Sequence, residues 1–348
     1  MRRTGEAPRA LRHTSRSAPA GPVARLITWR DKVPMRIFIS IASYCDPLLG
    51  FTVERAIRAA AVPARLHFGV VDQSLAGTPH MVSLGAGARL SQVRLDAADA
   101  RGPCWARALA MSLYDGEEWY LQLDSHMDFE AGWDERLVAQ ATALGAPQRP
   151  LVLSTYPEAF RFEDGQPVNV PSLGGVLAQV VQAGCSFAPG HPVLTFVACP
   201  APSAAPVPAF HVGAGCLFAP GRITQAVPYD PWLYFHGEEQ ALALRLYTHG
   251  WDLFHMPALP VRHLYNDAAS GAPPRPLHWD EEHEAARDVS WWTLEQRSRA
   301  RLAALVAGED LGVYGLGKVR SIADFAAFSG IDYAARTLAP AAYTPRGT

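Results

Sequence analysis

Residues 117–134 read Glu-Glu-Trp-Tyr-Leu-Gln-Leu-Asp-Ser-His-Met-Asp-Phe-Glu-Ala-Gly-Trp-Asp, and this stretch decides the fold. Residues 119–123 are aromatic or aliphatic, lack Gly and Pro, and are too few for a helix, so they predict a short buried strand. Asp124 and His126 follow it two residues apart, and in an extended chain such side chains point the same way. The carboxyl ends of strands face the ligand crevice in open α/β sheets. A carboxylate oxygen and an imidazole nitrogen there make half a site for a divalent ion such as Mn²⁺; the alternative is a polar turn that closes a core strand.

The composition is that of a folded protein with a full core. Its 348 residues are 49% hydrophobic and 18% charged, which is enough for one large domain or two ordinary ones. No apolar run reaches the ~18 residues of a membrane span, and no signal peptide is visible. The five cysteines are scattered and lack C-x-x-C spacing. This pattern indicates a reducing compartment, without structural zinc or a disulfide framework, and we expect a cytoplasmic protein.

Charge is spread unevenly along the chain, whose net charge is −2. Residues 1–32 carry eight Lys or Arg against two Asp or Glu, and the remainder carries 23 against 31. We expect residues 1–34 to form a disordered basic tail. It is either a basic arm for RNA or a membrane or, as we favour, a dispensable segment before a fold that begins at Met35. The mildly acidic body argues against a nucleic-acid enzyme.

The first folded segments have the pattern of a βαβ unit. Residues 35–43 predict a strand, residues 48–61 a helix, and residues 66–71 a second strand. No G-x-G-x-x-G follows the first strand, so the dinucleotide fingerprint is absent, although nucleotide binding at the strand ends stays open. Arg107 lies one turn into a helix opened by a Gly-Pro turn. A cation beside a helix amino end is a sensible anion site, and a surface arginine is the alternative.

Glycines and carboxylates mark two later segments. Residues 211–218 predict a strand that contains Gly213 and Gly215, and glycine inside a strand often marks the close approach of a ligand or backbone. Glu238 and Glu239 stand at the start of a predicted helix, where favourable interaction with the helix dipole is the alternative to a catalytic role. The preceding residues 157–210 look irregular, with short β segments expected near 176–181 and 193–197, and a long irregular stretch is typical of substrate loops.

Seven segments, in this order, resemble bacterial and protist glycosyltransferases of the polypeptide GlcNAc-transferase type, the group that includes the enzyme modifying hydroxyproline on the protein Skp1. They are Ile-Ser-Ile-Ala-Ser-Tyr-Cys-Asp (39–46), Phe-Gly-Val-Val-Asp-Gln (68–73), Gly-Pro-Cys-Trp-Ala-Arg (102–107), Leu-Gln-Leu-Asp-Ser-His-Met-Asp-Phe (121–129), Gly-Ala-Gly (213–215), Phe-His-Gly-Glu-Glu (235–239) and His-Leu-Tyr (263–265). The resemblance implies a GT-A fold, an α/β nucleotide-diphospho-sugar transferase fold whose mixed central sheet is flanked by helices. We therefore expect a catalytic domain at residues 35–275, with its irregular acceptor-side region at 157–210, and a helical C-terminal extension at 276–348 packed on it.

The resemblance also implies the reaction, which is a metal-dependent, retaining transfer of a sugar from a UDP-sugar to a hydroxyl acceptor. GlcNAc is the sugar implied by analogy, and Mn²⁺ is the expected cation, with Mg²⁺ as the alternative. The metal motif of the family falls on Asp124 and His126, and a later histidine completes the site in similar enzymes. His263 matches it best and His255 comes second; a core histidine is the alternative for either.

The remaining site residues follow from the same resemblance. Glu238 and Glu239 would orient the donor sugar or the acceptor hydroxyl. The donor would be bound by Ala42, Ser43, Tyr44 and Asp46 beside the uridine, Asp72 and Gln73 closing that pocket, Arg107 near the diphosphate or the donor sugar, and Gly213 and Gly215 beside the sugar. The acceptor is not implied, because residues 157–190 and 200–208 are poorly patterned; a protein, a peptide and a small molecule all stay open.

Two other functions remain as alternatives. A metallohydrolase would need another ligand cluster, and His278, Asp280 and His283 form the dense group available, which we interpret instead as a solvated helix start. A non-catalytic UDP-sugar-binding protein would keep the fold without turnover. The C-terminal arginines Arg297, Arg301 and Arg320 either contact UDP or pack against the main domain, and we favour packing.

Overall fold

Sixteen strands and eight helices build the part of the chain described by a computed structural model, residues 35–78, 84–171 and 174–346. The predicted basic tail, residues 1–34, lies outside the described residues. The strands are β1 (Ile37–Tyr44), β2 (Leu66–Ser74), β3 (Arg89–Asp96), β4 (Trp119–Leu123), β5 (Met127–Phe129), β6 (Leu151–Ser154), β7 (Glu158–Glu163), β8 (Gln166–Asn169), β9 (Val176–Val181), β10 (Phe196–Ala201), β11 (Val207–Ala209), β12 (Cys216–Pro220), β13 (Asp252–His255), β14 (Val261–His263), β15 (Ile331–Asp332) and β16 (Thr337–Leu338). The helices are α1 (Leu49–Ala59), α2 (Pro103–Met111), α3 (Trp133–Ala143), α4 (Ile223–Ala226), α5 (Glu238–Thr248), α6 (Glu281–Glu284), α7 (Trp291–Val306) and α8 (Ile322–Ser329).

A mixed eight-stranded sheet forms the centre, in the order β11-β13-β6-β12-β4-β1-β2-β3. Strands β4, β1, β2 and β3 are parallel neighbours, and β12 runs antiparallel between β4 and β6. A second sheet, β5-β14-β7-β8, starts immediately after β4. The carboxyl ends of β1, β2 and β4 therefore meet at one edge, beside the beginning of the second sheet.

Both faces of the inner strands β4, β6 and β12 are covered, which explains why these strands are mostly apolar, whereas the edge strand β3 is polar and partly exposed. The alternating side chains Ile37, Ile39 and Ile41 of β1 join one core cluster, which also contains residues of α1 and α3. Phe38, between them, points into a second cluster with residues of α2, α5 and α7. The predicted first helix corresponds to α1, whose buried positions recur at helical spacing.

The region 157–210, predicted to be irregular apart from β segments near 176–181 and 193–197, contains five strands, β7 to β11; β9 coincides with the first predicted segment and β10 overlaps the second. The signal for β7 and β8 is the dipeptide Asp164-Gly165, whose positive φ angles of 49° and 75° are those of a two-residue hairpin turn. Strands β9 and β10 pair antiparallel, and Pro200, which cannot donate to a ladder, lies in the second of them, in a two-stranded sheet. The predicted strand 211–218 begins only at Cys216, so Gly213 and Gly215 belong to the turn before it.

The C-terminal residues contain α6 to α8 and the short pair β15-β16, and residues from Met35 onward form one compact unit. Ser290 caps α7, and Ser321 and Asp324 form a capping box at α8. Leu302 and Leu305 of α7 are buried against α5. Among the described residues, no helix is both long and apolar enough to cross a membrane.

Candidate active site

A cavity of about 600 Å³ opens at the edge where β1, β2 and β4 end. Its lining includes Tyr44, Gln73 and Asp124, which end or follow those strands, and residues of the C-terminal extension reach its mouth. The volume lies in the range of small-molecule sites. This position is where the carboxyl ends of parallel strands converge.

Three potential metal ligands converge at this edge: Asp124, His126 and His263. The antiparallel pairing of β14 with β5 places His263 opposite Met127, which carries it to the neighbourhood of His126. The two Nε2 atoms are 2.9 Å apart, and Asp124 Oδ2 lies 3.4 Å from Nε2 of His263 and 3.9 Å from Nε2 of His126. Adjacent ligands of an octahedral cation with bonds near 2.1 Å are separated by about 3 Å, which is close to the spacing found here. Two imidazole nitrogens and one carboxylate suit a transition-metal ion such as Mn²⁺ better than Mg²⁺, which prefers oxygen ligands.

Asp46 holds the ring of His126 in a ligating orientation. Its Oδ2 accepts hydrogen bonds from His126 Nδ1 and from Ser125 Oγ, each at 2.7 Å. A proton fixed on Nδ1 leaves the Nε2 lone pair free to bind a cation, and a carboxylate partner of this kind is typical of metal-bound histidine. The carboxylate predicted to face the uridine is therefore engaged with the neighbouring metal-site histidine.

Electrostatics keep the Asp124 carboxylate ionised and the His263 imidazole neutral. Burial alone would raise the pKa of Asp124, but the hydrogen bond with His263 and the positive charge of Arg107 hold it well below its usual range. Burial lowers the pKa of His263. An ionised carboxylate and a neutral imidazole are the forms that bind metals.

Arg107 connects Asp124 to the start of α5. Its Nη2 donates to Asp124 Oδ1 at 2.7 Å, and its Nη1 bonds Glu238, which also accepts a hydrogen bond from Tyr229. Burial opposes the charge on Arg107, but Glu238, Tyr229 and Asp124 raise its pKa well above the ordinary value. The result is a buried cation fixed beside the candidate metal site.

Two arginines near the C-terminus form ion pairs with carboxylates of earlier segments of the chain. Arg301 of α7 donates to Asp230 Oδ2 at 2.9 Å, next to Tyr229 in the chain. Arg320 makes a similar pair with Asp252 at 2.6 Å. The structure thus pairs two of the three C-terminal arginines with carboxylates of the main domain, and Arg297 is exposed on α7.

The other residues predicted to bind the donor are divided between the cavity wall and the layer beneath it. Ala42, Tyr44, Gln73 and Gly215 line the cavity, whereas Ser43, Asp72 and Gly213 are outside its lining. Asp72 is buried and accepts a hydrogen bond from Ser74 Oγ at 2.6 Å. A Cβ on Gly215 would lie 2.6 Å from Asp124 Oδ2, so this glycine makes room for the carboxylate of the candidate metal site.

The alternative ligand candidates are occupied elsewhere. His278 bonds Tyr234 Oη at 2.7 Å, and His283 bonds Tyr44 Oη at 2.8 Å. The cluster that the metallohydrolase alternative would need is not among the groups with metal-site spacing in the described residues. His255 is a core histidine, buried between β9 and His211, and burial lowers its pKa to about 3. Within the described ranges, Asp124, His126 and His263 are the one group found with the spacing of a metal site.

The cavity residues not identified from the sequence include Tyr156, His211 and Arg275. Arg275 is buried and its Nε lies 3.8 Å from Asp46 Oδ2, facing the candidate metal site from the segment after β14. Tyr156 Oη donates a hydrogen bond to Glu239, and His211 Nε2 lies 3.4 Å from the same carboxylate. Each comes from a segment outside the regular strands and helices, where no periodic pattern marks a functional side chain.

Comparison with solved structures finds GT-A glycosyltransferases. A crystal structure of GalNAc-T7 with UDP, GalNAc and Mn²⁺ superposes with a TM-score of 0.51 at 14% identity, over 85% of this chain and 55% of that one. This chain thus spans about half the length of that structure. A structure of S. aureus TarS (residues 1–349) with UDP-GlcNAc matches at 12% identity and a TM-score of 0.38, over 79% of this chain and 74% of that one.

Comparison with curated proteins finds no match. The family model described as glycosyltransferase (GlcNAc) matches residues 79–335. The match spans the candidate metal site, the α5 carboxylates and most of the C-terminal extension. Because it covers well over half of the chain, this protein belongs to the GlcNAc glycosyltransferase family.

Proposed function

We propose that this glycosyltransferase is metal-dependent and retaining, and that it moves a sugar, GlcNAc by family analogy, from a UDP-sugar to a hydroxyl acceptor. The observation that carries the proposal is the convergence of Asp124, His126 and His263 in the same cavity as the Arg107–Glu238 pair. The resemblance to the Skp1-modifying enzyme stays a prediction, and the acceptor is not inherited from it.

Each side chain of the candidate site would have a separate role in the reaction. Asp124, His126 and His263 would hold the cation, which supplies a positive charge to the diphosphate as it departs. Asp46 keeps His126 in the ligating tautomer. Arg107, already desolvated and fixed, needs little reorganisation to stabilise negative charge that develops beside it.

The proposed reaction is a same-face substitution at the anomeric carbon, which retains its configuration and needs no protein nucleophile. The acceptor oxygen forms a bond to the anomeric carbon while the anomeric C–O bond to UDP breaks, and that electron pair leaves with UDP. The acceptor proton passes to an oxygen of the departing diphosphate on the same face. Glu238, bonded to Arg107 and Tyr229, is placed to position the donor sugar in this scheme.

Binding and turnover with a panel of nucleotide sugars test the proposal. We expect UDP and UDP-GlcNAc to raise the melting temperature in Mn²⁺ more than in EDTA, because a ligand that binds only the folded state stabilises it. UDP-GalNAc and UDP-glucose in the same panel identify the donor sugar. Asp124→Ala and His126→Ala should lower UDP release more than tenfold without unfolding the protein.

His249→Ala is the matched control, because this histidine bonds the Arg245 carbonyl outside the cavity lining. Its UDP release should equal that of the original sequence. The proposal fails if no UDP-sugar binds under any metal condition. Tight UDP-sugar binding without UDP release, with any acceptor tried, would instead favour the non-catalytic alternative.

A further inference from the structure

His211 is a buried side chain whose polar atoms have no hydrogen-bond partner. It is 2% exposed, lines the cavity, and neither ring nitrogen is hydrogen-bonded to any described residue. The ring lies flat on Phe196, with 3.5 Å between centroids and 5° between planes. Buried polar groups are almost always paired, so an unpaired imidazole held rigidly at a cavity wall points to a ligand that completes it.

Glu239 is the charged group that this ring faces. Nε2 of His211 lies 3.4 Å from Glu239 Oε2, and Tyr156 Oη donates to the same oxygen at 3.3 Å. Glu239 Oε1 accepts a hydrogen bond from the Ala214 amide at 2.7 Å, which fixes the carboxylate. Oε2 is therefore the oxygen left with acceptor capacity toward the cavity.

The turn before β12 separates this group from the candidate metal site. Glu239 is bonded to the amide of Ala214, and the carboxylate of Asp124 lies over the next residue, Gly215. Arg107 and Glu238 lie on the Asp124 side. Glu239 thus faces the cavity on the other side of this turn from Asp124, away from the residues proposed to bind the diphosphate.

We propose that Glu239, His211 and Tyr156 form the acceptor subsite, which binds a neutral alcohol; this inference rests on the proposed function. Before the reaction, the acceptor hydroxyl donates its hydrogen bond to Glu239 Oε2, and its oxygen accepts one from His211 Nε2. As the bond to the anomeric carbon forms, the hydroxyl hydrogen turns from Glu239 to the diphosphate oxygen that takes it up. Val193, Leu194 and Phe196 form the adjoining wall. A carboxylate beside an apolar wall disfavours an anionic acceptor, since a second negative charge there would be desolvated and repelled.

Donor hydrolysis offers a test that needs no knowledge of the natural acceptor, because water can occupy a hydroxyl subsite. UDP release from UDP-GlcNAc, or from the UDP-sugar that binds in the panel above, is measured in Mn²⁺ with water alone, with glycerol, and with glycerol 3-phosphate. In Glu239→Gln and His211→Gln, we expect release to fall at least tenfold while the dissociation constant for the UDP-sugar stays within threefold. Tyr156→Phe should lose about threefold, and glycerol should accelerate release more than glycerol 3-phosphate does.

His249→Gln is the matched control, since this histidine bonds the Arg245 carbonyl and lies outside the cavity lining. It should change release less than twofold. The inference is overturned if Glu239→Gln and His211→Gln weaken UDP-sugar binding tenfold, which would assign them to the donor sugar. It is equally overturned if their UDP release is unchanged, or if a protein that binds the UDP-sugar releases no UDP in water or glycerol. A chain that binds neither UDP nor any UDP-sugar would instead refute the proposed function itself.

Discussion

Asp46→Asn is the substitution that isolates the orientation of a metal-site histidine. Asp46 Oδ2 accepts from His126 Nδ1 at 2.7 Å, and Oδ1 accepts from the Leu48 amide at 2.8 Å. Asparagine has one acceptor oxygen and one NH₂ group, so it cannot serve both sides. If its oxygen faces His126, the bond is no longer charge-assisted and weakens by about 1 kcal/mol, and the Leu48 amide loses its partner.

The opposite orientation of the introduced asparagine amide would weaken metal binding further. With the NH₂ group facing His126, Nδ1 must become the acceptor and the proton moves to Nε2, the atom that points toward Asp124 and His263. That ring has to return to the other tautomer before it can bind a cation. Either way we expect Mn²⁺ affinity to fall by about 10–100-fold, the range measured for such supporting partners.

Calorimetric titration with Mn²⁺, in the presence of UDP, measures the loss directly. Ser125→Ala is the matched control, because it removes the other donor to Asp46 Oδ2 but leaves His126 its acceptor. It should change Mn²⁺ affinity less than threefold. Unchanged affinity in Asp46→Asn, or an equal loss in Ser125→Ala, would refute the orienting role.

Gly215→Ala should lower UDP release more than tenfold, because its Cβ would lie 2.6 Å from Asp124 Oδ2. Gly85→Ala, whose Cβ would meet open space, should leave UDP release unchanged, and equal effects of the two substitutions would contradict the prediction. The free energy of unfolding should fall as pH drops below 6.5, because burial lowers the pKa of His255 to about 3 and the unfolded chain takes up the proton first. Urea unfolding at pH 7 and 4.5 should show His255→Gln reducing that loss by about 2 kcal/mol, and an unchanged pH dependence would count against it. Arg301→Met should weaken binding of UDP-GlcNAc about three- to tenfold but not that of UDP, because the arginine supports the sugar-side network through Asp230; calorimetry showing equal losses for both ligands would refute the link.

The central strands were predictable because burial on both faces makes them short, apolar and free of Gly and Pro. The predicted strand 119–123 coincides with β4, and the predicted strands 35–43 and 66–71 overlap β1 and β2. The spacing of Asp124 and His126 also has a local basis, since both follow the end of one strand. The mixed central sheet flanked by helices matches the fold expected from the family resemblance.

Other features depend on tertiary structure and leave no local pattern. His263 reaches the site only through the pairing of β14 with β5, 137 positions from His126, and spacing alone could not select it over His255. No sequence pattern distinguishes His211 from another residue that precedes a glycine-containing turn. Only the fold shows that its two ring nitrogens have no hydrogen-bond partner among the described residues. Within the region 157–210, the predicted segment 176–181 coincides with β9 and the segment 193–197 overlaps β10. Strands β7 and β8 were missed because frequent Pro and Gly mask the hairpin signal of Asp164-Gly165.

The charge balance of the candidate metal site bears on how it would bind a cation. Asp124 is the one anionic ligand among the three, and Arg107, which is bonded to its Oδ1 at 2.7 Å and shared with Glu238, offsets part of that charge. Burial keeps His263 neutral by lowering its pKa. Such a site attracts a divalent cation weakly by itself, but a nucleoside diphosphate adds several negative charges and its own oxygen ligands. Because coupling between two ligands is reciprocal, the cation then strengthens donor binding by the same factor, so we expect metal and donor to be held as a pair.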